Sequence, residues 1–196
     1  MSEGTFITVE GIDGAGKTSV TDAIEEEFDV VRTQEPSELW TGKQVRRALT
    51  EDTPPFTDFF LFMADRHLHI ETQIKPALAE GKLVISDRFT DSTLAYQPVQ
   101  LMNELEDPPQ WMKSVMSPWN IEPDATIYLN VTLDTALDRL DGVEKYERVE
   151  MLEQVKSNYE LLRRENFERY RTIDADQTEE EVISDALRVV KEVVDE

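Results

Sequence analysis

Thr5-Phe6-Ile7-Thr8-Val9-Glu10 runs directly into Gly11-Ile12-Asp13-Gly14-Ala15-Gly16-Lys17-Thr18, and Val20, Ala23, Ile24 and Phe28 then recur at helical spacing. A β-branched strand, a glycine loop of the form GxxxxGKT and an amphipathic helix, in that order, are the setting in which such a loop cradles phosphate. The glycines let the backbone turn its N–H groups inward, and the helix N-terminus adds partial positive charge. Lys17 is placed to reach the outer phosphates, and the Thr18 hydroxyl to hold a Mg²⁺ ion. Gly11, Ile12, Asp13, Gly14, Ala15, Gly16, Lys17, Thr18 and Ser19 are therefore the expected ATP-binding residues. A glycine turn that matches by chance would rarely have both flanks correct, so the motif implies a bound nucleoside triphosphate.

Working outward, four more strands are expected at Val30–Thr33, Lys82–Ser86, Ala125–Val131 and, most weakly, Arg171–Asp174. Helical periodicity lies between them. Residues 57–80 put Phe59, Phe60, Phe62, Met63 and Ile70 on one stripe before Gly81 ends the helix, and further helices are expected over 133–141, 147–167 and 178–194. Gln97 to Asn120, rich in proline and tryptophan, reads as an excursion with helical stretches. Strands alternating with helices predict an α/β fold with a five-stranded parallel sheet in order 2-3-1-4-5 and helices on both faces. Ligands then bind at the carboxyl ends of the strands.

The chain has 196 residues and no low-complexity linker, which suits a single domain spanning 1–196. It lacks cysteine, a signal peptide and any apolar run able to cross a bilayer, so a cytoplasmic protein without membrane contact is expected. Net charge is −22, with 42 acids against 20 bases. Such a surface repels itself unless screened, and at 1 M salt the Debye length is only about 3 Å. Adaptation to high salt is the expectation. The same acidity argues against a nucleic-acid partner, even though Lys156, Arg163, Arg164 and Arg169 cluster in and just after one charged helix. His67 and His69, two apart on a helix, face different ways and make poor metal geometry, so both read as bystanders.

The loop does not choose the reaction. An Asn-Lys-x-Asp guanine-reading motif is absent, and the second acidic position, Asp87, is followed by Arg88 rather than by a second acid. An acid there suits Mg²⁺ or its water shell, and the arginine suits a phosphate held bidentately. A small α/β chain with both features reads as a nucleotide-to-nucleotide phosphotransferase.

Phe6–Thr18, Phe62-Met63-Ala64-Asp65-Arg66, Asp87-Arg88-Phe89-Thr90-Asp91-Ser92-Thr93-Leu94-Ala95-Tyr96-Gln97 and Glu147-Arg148-Val149-Glu150 resemble the thymidylate kinase family, in the family's order and over most of the chain. The resemblance implies a P-loop nucleoside monophosphate kinase fold with a lid and a two-fold homodimer. It further implies transfer of the γ-phosphoryl group of ATP to dTMP with Mg²⁺ on Thr18 and Asp87. Carried over residue by residue, dTMP would be bound by Asp13, Arg46, Phe62, Arg66, Arg88, Thr93 and Tyr96. Phe62 would stack on thymine, Arg66 donate to a base carbonyl, Thr93 face the polar edge, and Tyr96 crowd the sugar's 2′ position. Gln97 would lie behind them. Where family members have arginine before Glu35-Pro36, this chain has Gln34.

Some family members also carry arginine in the loop where this chain has Gly14. In relatives with glycine, basic residues of a mobile lid supply the charge that follows the transferred phosphoryl group. The lid is expected at residues 141–148, with Arg148 catalytic beside Lys17 and Arg88, and Arg139 against adenine or its phosphates. Other readings of the same residues are a different nucleoside monophosphate or deoxynucleoside kinase, and an ATP-binding regulator without phosphotransfer.

Overall fold

The computed structural model describes residues 4–140 and 145–195, without the side chains of residues 145–148. Five parallel strands, β1 (Phe6–Glu10), β2 (Val30–Gln34), β3 (Leu83–Asp87), β4 (Ala125–Asn130) and β5 (Tyr170–Asp174), form one sheet in the order β2-β3-β1-β4-β5. This is the expected order. β1 is buried at every position and β4 at all but its last, as continuous apolar strands are when both faces of a parallel sheet are covered. Register places Val9 beside Asp87 and Glu10 beside Tyr128, so the ends of β1 and β3 emerge together.

α1 (Lys17–Glu27) and α9 (Glu179–Asp195) pack side by side, while α5 (Thr90–Leu101) packs against α3 (Pro55–His69), α6 (Pro108–Met116) and α8 (Lys145–Glu165). α2 (Trp40–Ala48) lies against α3, and α7 (Leu133–Arg139) precedes residues 141–144 in the chain. α5 continues through Pro98 to Leu101, so the expected excursion starts later than Gln97. The long helix expected over 57–80 is one rod in three parts. α3 is followed by a π turn, Ile70–Ile74, and by α4 (Lys75–Ala79). Phe59, Met63 and Ile70 are buried as expected, but Phe60 is 53% exposed. Phe60, about 100° round the helix from Phe59, falls on the side of this helix that is turned to solvent.

Candidate active site

The loop from Gly11 to Gly16 joins β1 to α1, with its glycines at positive φ. Among the described residues, the N–H groups of Gly14, Gly16, Lys17 and Thr18 have no protein partner, which leaves a row of donors at a helix N-terminus for an anion. Gly14 is constrained twice. Its φ is +81°, and a Cβ built there would sit 2.4 Å from the Ala136 carbonyl oxygen. α7 thus seals this position against any side chain, arginine included. Lys17 folds back over the loop, its Nζ donating to the carbonyls of Gly11 at 3.1 Å and Ile12 at 2.9 Å. Burial, with the Arg88 guanidinium nearby, pulls its pKa down to about 7. Thr18 donates through Oγ1 to Asp87 Oδ2 at 3.3 Å, so the two expected metal-binding residues stand together.

Asp87 ends β3, and the next residue breaks the usual backbone rules. Arg88 has φ +68° without being glycine, a conformation that costs about 1–2 kcal/mol. Its N–H donates to Val9 O at 3.0 Å, and its carbonyl accepts from Ser86 Oγ at 2.6 Å. These bonds fix a turn that aims the side chain back at the phosphate loop. There Nη2 pairs with Asp13 Oδ1 at 2.5 Å, Nη1 donates to Ser92 Oγ at 3.0 Å, and the guanidinium lies 5.2 Å from the Tyr96 ring centre. Tyr96 Oη accepts from the Asp13 N–H at 3.0 Å, closing a ring of three residues from three elements. Glu10, buried beneath, accepts from the N–H groups of Phe89 and Ser92 and from the hydroxyls of Ser92 and Tyr159. Burial, followed by the Asp91 charge, lifts its carboxyl to about 7 against these bonds.

Beside this ring opens a pocket of about 230 Å³. Asp13, Phe62, Arg66, Arg88, Thr93 and Tyr96 all line it, so six of the seven residues expected to bind the acceptor meet in one place. Arg66 is 1% exposed and already bonded, to Glu35, the Phe89 carbonyl and Thr93 Oγ1. Arg46 stays at the rim, donating to the Pro36 carbonyl at 2.8 Å and pairing with Glu38 at 3.4 Å. Gln34, in the place of the family's arginine, turns outward to Glu38. Gln97 is not behind the wall but part of it, as is Gln100, and the buried Oε1 of each has no partner among the described residues. Their spacing from Thr93 along α5 was the available signal, since residues three and four apart share a helix face. Glu35 also lines the pocket, and His69, expected to be a bystander, is buried in contact with it.

A second recess of about 230 Å³ lies on the far side of the loop, lined by Ala15, Gly16, Ser19, Arg139, Val182 and Ile183 among others. Arg139 donates to the carbonyls of Gly14 at 3.3 Å and Ala175 at 3.1 Å. A larger open groove of about 860 Å³ between α7 and α8 contains none of the expected site residues. Residues 141–144 of the expected lid lie outside the described residues, as do the side chains of Lys145 and Arg148.

The fold and site define a P-loop phosphotransferase with two adjoining pockets, in the manner of the nucleoside monophosphate kinases. A family model described as thymidylate kinase matches residues 9–186. Relatives named probable thymidylate kinase include one from Methanoculleus marisnigri, 43% identical over 90% of this chain and 89% of its own length. Another, from Methanosarcina mazei, is 39% identical over 97% of both, and one from Halorubrum lacusprofundi is 38% identical over 97% of this chain and all of its own. The chain belongs to the thymidylate kinase family, whose members are transferases.

Proposed function

We propose that this chain transfers the γ-phosphoryl group of ATP to the phosphate of dTMP, giving dTDP and ADP, as one kinase domain spanning 1–196. The observation that carries the reading is the acceptor pocket itself. It opens beside the phosphate loop, and Asp13 and Arg88 belong to both. A dTMP phosphate oxygen, already anionic near neutral pH, attacks the γ-phosphorus as the bond to the β,γ-bridging oxygen breaks, and ADP leaves with that electron pair. No general base is required, so the residues act by positioning and charge. Lys17 and the loop N–H groups hold the donor phosphates, Arg88 bridges donor and acceptor, and Arg46 reaches the acceptor phosphate from the rim. Phe62 stacks on thymine. Arg66, Thr93 and Gln97 meet its polar edge, while Tyr96 guards the sugar. Ser19 and Arg139 border the adenine recess.

Thr18 and Asp87 present hard oxygen ligands next to each other, which suits Mg²⁺ shared with phosphate oxygens. The bound ion would neutralise charge on the phosphates. Residues 141–148 would close as a lid, with Arg148 adding charge that Gly14 leaves out.

Pairing into a homodimer is supported by an uncharged patch on α2 and α3, where Trp40 is 69% exposed beside Phe60 and Trp119. In a chain of net charge −22, self-association needs such a face. That charge also supports activity at high salt in a cytoplasmic setting; among the described residues no helix is long and apolar enough to cross a membrane. No nucleic-acid partner is proposed. A coupled assay with dTMP, dUMP, UMP and thymidine, each in dilute and in molar salt, tests the reading. Rapid dTDP formation from dTMP in molar salt is expected. ATP binding without product, or preference for thymidine, would overturn it.

A further inference from the structure

Arg66 is aimed from behind. A single carboxylate oxygen, Glu35 Oε2, accepts from its Nε at 2.8 Å and its Nη2 at 2.6 Å, which fixes the plane of the guanidinium. Nη2 also donates to the Phe89 carbonyl at 3.0 Å and Thr93 Oγ1 at 2.8 Å, whereas among the described residues Nη1 meets no oxygen and lies 3.4 Å from Met116 Sδ. Glu35 does not hold this grip alone. Its other oxygen, Oε1, lies 3.1 Å from His69 Nδ1, and His69 Nε2 lies 2.5 Å from Thr33 Oγ1. Thr33 Oγ1 in turn contacts Gln73 Oε1, in the π turn that begins immediately after His69. Burial alone would raise the Glu35 carboxyl, but the Arg66 guanidinium and His69 outweigh it and hold it below the usual range. An ionised carboxylate only accepts, so Nδ1 is the protonated nitrogen that faces it.

We infer that His69 and Glu35 are positioning residues that set which pyrimidine the pocket accepts, by fixing the rotation of Arg66. This rests on the assignment of the pocket to a pyrimidine nucleotide. A guanidinium donates and never accepts, so it matches a ring carbonyl at the 4-position and opposes an amino group there. The opposition depends on rigidity. An arginine free to swing aside no longer rejects the amino-bearing base, because it finds other acceptors. With His69 in place, Glu35 is pinned on both oxygens and Arg66 has no such freedom.

Isosteric logic gives the test. In asparagine the amide nitrogen falls where Nδ1 stands, so His69→Asn keeps the donor to Glu35 and loses Thr33. Glutamine reaches the Nε2 position, so His69→Gln keeps Thr33 and leaves Glu35 Oε1 without its donor; His69→Leu supplies neither. For each variant, kcat and KM are measured with dTMP and with dCMP, dissociation constants of both by calorimetry, KM for ATP, and the melting temperature. The preference for dTMP over dCMP is expected to fall at least tenfold in H69Q and H69L and to return to within threefold of wild type in H69N. Throughout, kcat at saturating dTMP and KM for ATP should stay within twofold. Unchanged preference in a folded H69L, equal losses in H69N and H69Q, or losses that follow melting temperature and ATP KM together would overturn the inference while leaving dTMP phosphorylation standing. A wild-type protein that forms no dTDP would overturn both.

Discussion

The two sides of the phosphate loop are built differently. On the acceptor side, side chains bond to side chains. Arg88 is tied to Asp13 and Ser92, and Arg66 to Glu35 and Thr93, within a closely walled pocket. The donor side is mostly backbone. Free N–H groups line the loop, and Arg139 is fastened to two carbonyls at the edge of a recess floored by Val182 and Ile183. A preset array of side chains distinguishes one base from another, because a wrong partner leaves buried polar groups unpaired. A cradle of N–H groups holds any polyphosphate. On the proposed function, selectivity belongs to the acceptor side, and the donor side supplies grip and charge.

Replacing Arg88, which serves both sides, should have the largest effect. R88A is expected to lower kcat/KM for dTMP by about 10³, in the range lost with other arginines that stabilise phosphoryl transfer. An unaltered acceptor KM would remove it from the phosphate clamp. R88G sharpens the point. It loses the same guanidinium but relieves the positive φ, so it should melt above R88A, by the equivalent of about 1 kcal/mol.

Next in size, R148A tests the donor side, where turnover should fall about 10²-fold with dTMP affinity changed less. Equal turnover would end the lid assignment. G14A should follow. The added Cβ meets the Ala136 carbonyl at positive φ, so a loss of about 2–4 kcal/mol in stability, with a higher ATP KM, is expected on chemical denaturation. An unperturbed G14A would mean that α7 yields there.

The smallest effect is a proton. Burial holds the pKa of the Lys17 ammonium down to about 7, and a polyphosphate favours its charged form, so ATP binding should take up a proton above about pH 7. Affinity then falls as pH rises through that range, by at most about tenfold per unit. Calorimetry in buffers of different ionisation enthalpy measures the uptake, and dTMP binding should not show it. Uptake by neither ligand would mean that Lys17 stays charged without phosphate.

Much of this was legible in the chain because local rules agreed with the fold. Strand order followed from alternating patterns, and Gly11 to Thr18 declared both a turn and a ligand. What escaped was long-range. Nothing near His69 announces that Glu35, just past the end of β2, will meet its Nδ1, so two histidines two apart looked idle. Gln97 was placed one layer too deep because its partnerless carbonyl is a property of the packed wall. Phe60 was read on one apolar stripe with Phe59 and Met63, and which part of that stripe faces solvent is settled by what packs against the helix. Arg88's backbone strain likewise needs the Val9 and Ser86 contacts to exist at all.

Product analysis with γ-labelled ATP in molar salt tests the central claim most directly. Wild-type protein given dTMP and dCMP in equal amounts should pass label to dTMP, yielding dTDP in large excess over dCDP, with ADP formed in equal amount to the labelled product. Label transferred to both bases alike, or ATP consumed without labelled dTDP, would contradict an acceptor pocket built to choose its base.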